Sequence, residues 1–141
     1  MAGTLVGALA IGGCGSMDMA TGRDTQTWTM TTSDSVQAAQ GKVKVHREKD
    51  GNALVKVEVE RLAPPSAVQE DSVAYVVWLQ PSGGQPQNVG TLHVDGKKLK
   101  GDLETKTPFK HFQVSVTAER ARNVTQPTGP EVMDVQITVP T

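Results

Sequence analysis

The side chains able to do chemistry are few and scattered. His46, His93 and His111 are the candidate metal ligands or general bases. No second histidine or cysteine stands two or four positions from any of them, so neither a strand nor a helix face pairs them. Cys14 is the only cysteine, which excludes an intrachain disulfide and a zinc site built on several thiolates. A blue-copper centre needs a thiolate with two imidazoles, and Cys14 lies far from the segments that carry the histidines. Ser, His and Asp are all present, but no nucleophile elbow singles out a serine. Gly12-Gly13 and Gly83-Gly84 lack the spacing and the Lys-Ser/Thr of a phosphate loop. The expectation is a chain that is not an enzyme, with no catalytic residue, no metal ligand and no cofactor.

The one reactive group in a recognisable context is Cys14. Residues 1–13, MAGTLVGALAIGG, carry no charge, and the apolar stretch from Leu5 to Ile11 is too short to span a bilayer. It suits the apolar region of a secretory signal. Ile11-Gly12-Gly13-Cys14 resembles the lipobox of bacterial lipoproteins, where small residues let the peptide lie extended in a narrow protease cleft and the thiol takes the diacylglycerol. The resemblance implies lipidation at Cys14, a palmitate-bearing membrane anchor and an extracytoplasmic location, on the periplasmic face or the cell surface. The other possibility is an ordinary buried thiol. On the lipoprotein reading, residues 1–13 are the signal peptide and residues 14–33 are the lipidated cysteine and its tether. Residues 34–141 are then the folded domain. Within the tether, residues 25–32, TQTWTMTT, alternate strictly and form either an edge strand or a Thr-rich linker.

The elements behind these residues read as all-β. The 141 residues suit one domain, and 14 Lys+Arg against 15 Asp+Glu leave no basic field for nucleic acid. The chain holds 19 Val and 15 Thr against 8 Leu and 2 Ile, and stiff β-branched side chains favour a pleated surface. From residue 42 onward the apolar period is two. Val43 and Val45 alternate with Lys42, Lys44 and His46, and Ala53, Val55, Val57 and Val59 alternate with Leu54, Lys56, Glu58 and Glu60. Between them Asp50-Gly51 is a hairpin signal, and Asp95-Gly96 is a second one. Residues 73–79, VAYVVWL, are a continuous apolar run, expected as a central strand covered on both faces with Trp78 in the middle of the core. Phe112, Val114, Val116 and Ala118 face inward on the next strand, and Met133, Val135, Ile137 and Val139 on the last. The histidines fall on outward positions. An immunoglobulin-like antiparallel β-sandwich of about seven to eight strands is the expected fold; a small closed β-barrel is the alternative.

Three segments in order are similar to the extracytoplasmic domain of anti-sigma-K factors. They are LAPPSAV (62–68) leading to YVVWLQPSGGQPQNVGTL (75–92), then FQVSVTAE (112–119), then QPTGPEV (126–132). The resemblance covers about half of the chain and implies an all-β sandwich. No residue matches that family's cytoplasmic sigma-binding motif, and no transmembrane helix is expected, so direct sigma-factor binding is not.

Two stretches rich in Gly, Pro, Asn and Gln remain, 80–88 (QPSGGQPQN) and 121–130 (ARNVTQPTGP). Function concentrates on such loops when a rigid scaffold presents them. Gln85, Gln87, Asn88, Asn123 and Gln126 are the candidate contacts to a partner. Asn123-Val124-Thr125 fits the N-glycosylation pattern, a match expected to be accidental in a bacterial lipoprotein. Exposed aromatic platforms for sugars or single-stranded nucleic acid are scarce, since Tyr75, Trp78 and Phe112 of the five aromatics follow the core pattern and Trp28 suits core cover. The function expected is a lipid-anchored, non-catalytic cell-envelope module for protein interaction or sensing, contacting an unknown envelope protein. The alternatives are an envelope enzyme or metal-binding protein with a site assembled from scattered strand residues such as His93 and His111, and a structural spacer.

Overall fold

A computed structural model describes residues 25–95 and 99–139. Two antiparallel sheets of five strands each pack face to face as a β-sandwich. In chain order the strands are β1 (Thr25–Thr29), β2 (Thr31–Thr32), β3 (Gln40–Arg47), β4 (Ala53–Glu60), β5 (Ala74–Pro81), β6 (Gln87–Thr91), β7 (His93–Asp95), β8 (Lys100–Thr107), β9 (His111–Glu119) and β10 (Glu131–Thr138). One sheet runs β2-β10-β9-β5-β6, the other β1-β3-β4-β8-β7. Among the described residues the helical content is slight: a 3-10 turn (Asp34–Val36) and one turn of α-helix, α1 (Pro65–Val68). The fold is thus the all-β sandwich expected, and the two ladders stay separate rather than closing into a barrel.

Two extended runs change sheets midway. The chain pairs with β3 through Thr29, then with β10 from Thr31, with Met30 between. The Met30 N–H still donates to Gly41 O on β3, at 2.8 Å. At the opposite edge, β6 pairs with β5 and β7 with β8, and the Leu92 N–H between them donates to Tyr75 O at 2.9 Å. Met30 and Leu92 are both buried, because each turns its side chain into the gap between the layers. Counting each crossing run once leaves eight strands among the described residues. The segment 25–32 is therefore strand, of the edge kind, and not linker. Partly buried Trp28 packs against the core from it.

The alternation of the sequence maps directly onto the layers. Val43, Val45, Ala53, Val55, Val57 and Val59 meet Phe112, Val114, Val116, Ala118, Met133, Ile137 and Val139 in one cluster. Val132 joins them because the register shifts between Val116 and Thr117, putting a bulge at the start of β10. Tyr75 enters this core, and its hydroxyl donates to Ala63 O at 2.6 Å, drawing the Pro64-Pro65 segment onto the sandwich. Burial pushes the Tyr75 phenol up to about 12. The first hairpin turns at Asp50-Gly51, with Arg47 opposite Ala53 and the Glu48 N–H donating to Asn52 O. The turn at Asp95-Gly96 and the His93 side chain lie outside the described residues, but β7 and β8 pair antiparallel as that hairpin requires.

The outer face of the β1-β3-β4-β8-β7 sheet is solvated and charged. Lys44 and Lys56 both reach Glu58, at 3.1 and 3.5 Å, and Lys106 reaches Glu48 at 3.0 Å. Partial burial tends to raise the Glu58 carboxyl, but the two ammonium groups outweigh it and hold it below its ordinary value. Pairs this exposed contribute little stability.

At the first crossing, both thioethers crowd Gly41. A Cβ there would lie 2.8 Å from Met133 Sδ and 3.0 Å from Met30 Sδ. Gly41→Ala should therefore destabilise the fold by about 1–3 kcal/mol through overpacking. Urea unfolding checks this; an unchanged midpoint would mean that the crossing is loosely packed.

Candidate functional site

Strand β5 is buried on both sides, yet only one side is the core between the sheets. Tyr75, Val77 and Leu79 belong to that core. Cross-strand neighbours of an antiparallel ladder share a face, and the register sets Trp78 opposite Ser115, Val76 opposite Thr117 and Ala74 opposite Glu119. These residues alternate with the inward Val114, Val116 and Ala118, so they lie on the outer face of the β2-β10-β9-β5-β6 sheet. Trp78 is fully buried there, not in the middle of the sandwich as the apolar run suggested. A continuous run conceals which of its two faces is which; the partner strand settles it.

The loop between β9 and β10, residues 120–130, is what holds this face together. The Trp78 indole Nε1–H donates to Thr117 Oγ1 at 2.8 Å, and the Thr117 hydroxyl donates to Glu119 Oε2 at 2.6 Å. That carboxylate also accepts from the Thr128 and Gly129 N–H groups, both at 3.1 Å, and from the Thr128 hydroxyl at 2.6 Å on Oε1. Glu119 is 1% exposed and has no cation against it among the described residues. Burial alone would raise its carboxyl, but the four donors outweigh burial and hold it below its ordinary value near 4.5. Beside them the Ala118 N–H donates to Pro130 O. Gly129 passes so close to Ala118 O that any Cβ would strike the carbonyl.

The far part of the loop is pinned by Asn88 on β6. Its Nδ2 donates to Arg122 O at 3.0 Å and Val124 O at 2.8 Å, and its Oδ1 accepts from the Gly90 N–H. The loop is thus fastened at its root by one carboxylate and further out by one amide. Arg122, Asn123, Thr125, Gln126, Pro127 and Thr128 stay exposed along it. Chemically this is a rigid, mostly uncharged polar surface, suited to recognition.

The other candidate loop is shorter than its composition implies. Strand β5 extends to Pro81 and β6 starts at Gln87, so only residues 82–86 are a turn. Gln85 is exposed in that turn, Gln87 is exposed on β6, and Asn88 is a strand residue committed to the loop opposite. The turn caps the sheet where β9 begins, while the 120–130 loop is rooted where β9 ends; Asn88 is what ties them. Glu119 and Thr128 were missed at the sequence level. The signal was there in outline: Val76 and Trp78 needed a cover, and the eleven residues 120–130 were long enough to supply it.

Cys14 lies outside the described residues. His46 shares a 2.8 Å hydrogen bond with Thr25 Oγ1 on one sheet, and His111 sits 3.5 Å from Thr138 Oγ1 on the other. Among the described residues, no three His, Cys, Asp or Glu side chains gather as a metal site, and no helix is long and apolar enough to cross a membrane. In comparisons with known proteins, no family model matches the chain and no curated protein is similar to it.

Because the Glu119 carboxyl is lowered on folding, its contribution is full above about pH 4.5 and is lost as pH falls through the folded value. Glu131, raised by burial and by the neighbouring Asp134 carboxylate, gains on acidification, so the experiment uses a Glu131→Gln background. Hydrogen exchange at Thr128 and Gly129 should accelerate first on acidification, before the core strands open. Glu119→Ala, which strands the donors around it, should cost about 2–4 kcal/mol and free the loop at neutral pH. Equal protection in loop and core throughout would overturn the lock.

Proposed function

We propose that this chain is a lipid-anchored, non-catalytic module of a bacterial cell envelope that engages a partner protein through the 120–130 loop. The observation that carries it is the Glu119 lock. A loop of Gly, Pro, Asn and Thr would ordinarily cost conformational entropy on binding, and one fastened by three hydrogen bonds to a buried carboxylate has lost much of that freedom already. The exposed Asn123, Thr125 and Gln126 side chains are then held ready for a partner. Gln85 and Gln87 flank the same sheet and extend the surface.

The anchor rests on the lipobox-like Ile11-Gly12-Gly13-Cys14. The order of the LAPPSAV, YVVWL, FQVSV and QPTGP segments supports an extracytoplasmic domain similar to that of anti-sigma-K factors, without direct sigma-factor binding. A domain held outside the membrane by a lipid displays its loops to other envelope components rather than to a cytoplasmic factor. Arg122 is the only charged residue from 121 to 130, so binding there should depend weakly on salt.

Two experiments separate anchor from surface. Cys14→Ala should abolish palmitate labelling and release the protein from membranes; continued labelling sinks the anchor. Photo-crosslinkers at Gln126 and Gln85 should capture one envelope protein in intact cells, while one at Lys56, on the charged outer face of the other sheet, captures none. The reverse pattern would make the loops mere connectors.

A further inference from the structure

A second site lies on the part of the same sheet face that the loop does not hold. Gln80 stands opposite Gln113, and Gln113 opposite Gln136, so three amides form one row across β5, β9 and β10. Adjacent strands are about 4.8 Å apart, which spaces the backbones of the three glutamines along the row. Together with Ser82, Gly83 and His111 they line a cleft of about 250 Å³. None of its lining residues is Lys, Arg, Asp or Glu, although 29 of the chain's residues are charged (14 + 15).

We propose that this cleft binds one or two units of a neutral glycan. A primary amide has two N–H donors and a carbonyl acceptor. Gln80 commits Nε2 to Gly84 O and Gln113 commits Nε2 to Asp134 Oδ2, each at 3.0 Å. These bonds fix the two amides in place and leave each a second N–H and its carbonyl oxygen. Gln136 makes no side-chain hydrogen bond among the described residues and keeps its full set. Each position therefore offers a donor beside an acceptor. A sugar hydroxyl, which is both, matches that pairing in either orientation. An anionic ligand finds no Lys or Arg in the lining, and the Asp134 carboxylate that holds Gln113 lies beside it. The cleft falls below the roughly 300–1,000 Å³ of drug-sized sites, a size that suits a saccharide unit rather than a larger ligand. The row also runs across the strands. An added peptide strand pairs with backbone groups at a sheet edge, whereas these amides are side chains on the sheet face, so the row is not a strand-addition site.

This site is separate from the loop surface, and its test is independent of the anchor. The probes are N-acetylglucosamine tetramer and maltotetraose, titrated into the full chain with the glutamine side-chain amide signals followed by NMR. At least one should shift the Gln80, Gln113 and Gln136 signals saturably at millimolar concentration, and Gln136→Ala should weaken binding about tenfold at an unchanged unfolding midpoint. Gln126→Ala should leave the affinity unaltered, separating cleft from loop. The proposal is overturned if neither sugar moves these signals, if binding is the same in Gln136→Ala, or if only an uncharged Ser/Gln-rich peptide moves them.

Discussion

A carboxylate kept from water without a cation must be compensated by hydrogen bonds, and Glu119 collects four. Much of what distinguishes this sandwich depends on that arrangement. It turns the end of β9 into an anchorage for the segment that follows. It also fixes Thr117, whose oxygen in turn receives the Trp78 indole, so the aromatic ring, the hydroxyl and the carboxylate form one relay across two strands. A well-satisfied buried network of this kind specifies a single arrangement of its parts, whereas a half-satisfied one would be worse than an apolar patch. Remove the acid and Thr117, Thr128 and Gly129 all lose a partner together.

The two faces of the molecule consequently have different characters. One sheet shows water a mosaic of Lys and Glu, ordinary for an exposed antiparallel sheet. The other carries apolar residues on its outside as well as its inside, which only makes physical sense with a cover. The fastened loop and the amide row divide that second face between them, one crossing β5 near Trp78 and the other lying nearer the turn at 82–86.

The period-two pattern was sufficient to identify the inward residues of β3, β4 and β9, because one polar face leaves the apolar face unambiguous; on β10 it missed Val132, which the bulge turns inward. It failed at β5, where Val, Tyr and Trp on both faces erase the alternation and Trp78 could be assigned to either side. It failed again at Gln87 and Asn88, whose types favour turns, because pairing with Leu79 and Trp78 overrides intrinsic preference. The lock was hardest to read. Glu119 and Thr128 are nine residues apart, and only the return of the chain over the sheet makes them neighbours. The histidines could not be placed from spacing alone: only the ladders show that His46 and His111 stand on separate sheets.

The sheet-crossing run at Met30 sets the order in which the molecule is completed. Thr31 and Thr32 find their partners in Asp134 and Met133, roughly a hundred residues downstream. The N-terminal strand can dock early on β3, but its second half has no ladder to join until β10 exists. As the chain emerges from a ribosome, the sandwich stays open along one side until β10 is delivered. Such a topology ties completion of the β2-β10-β9-β5-β6 sheet to the last of the described strands, however early the first ones form.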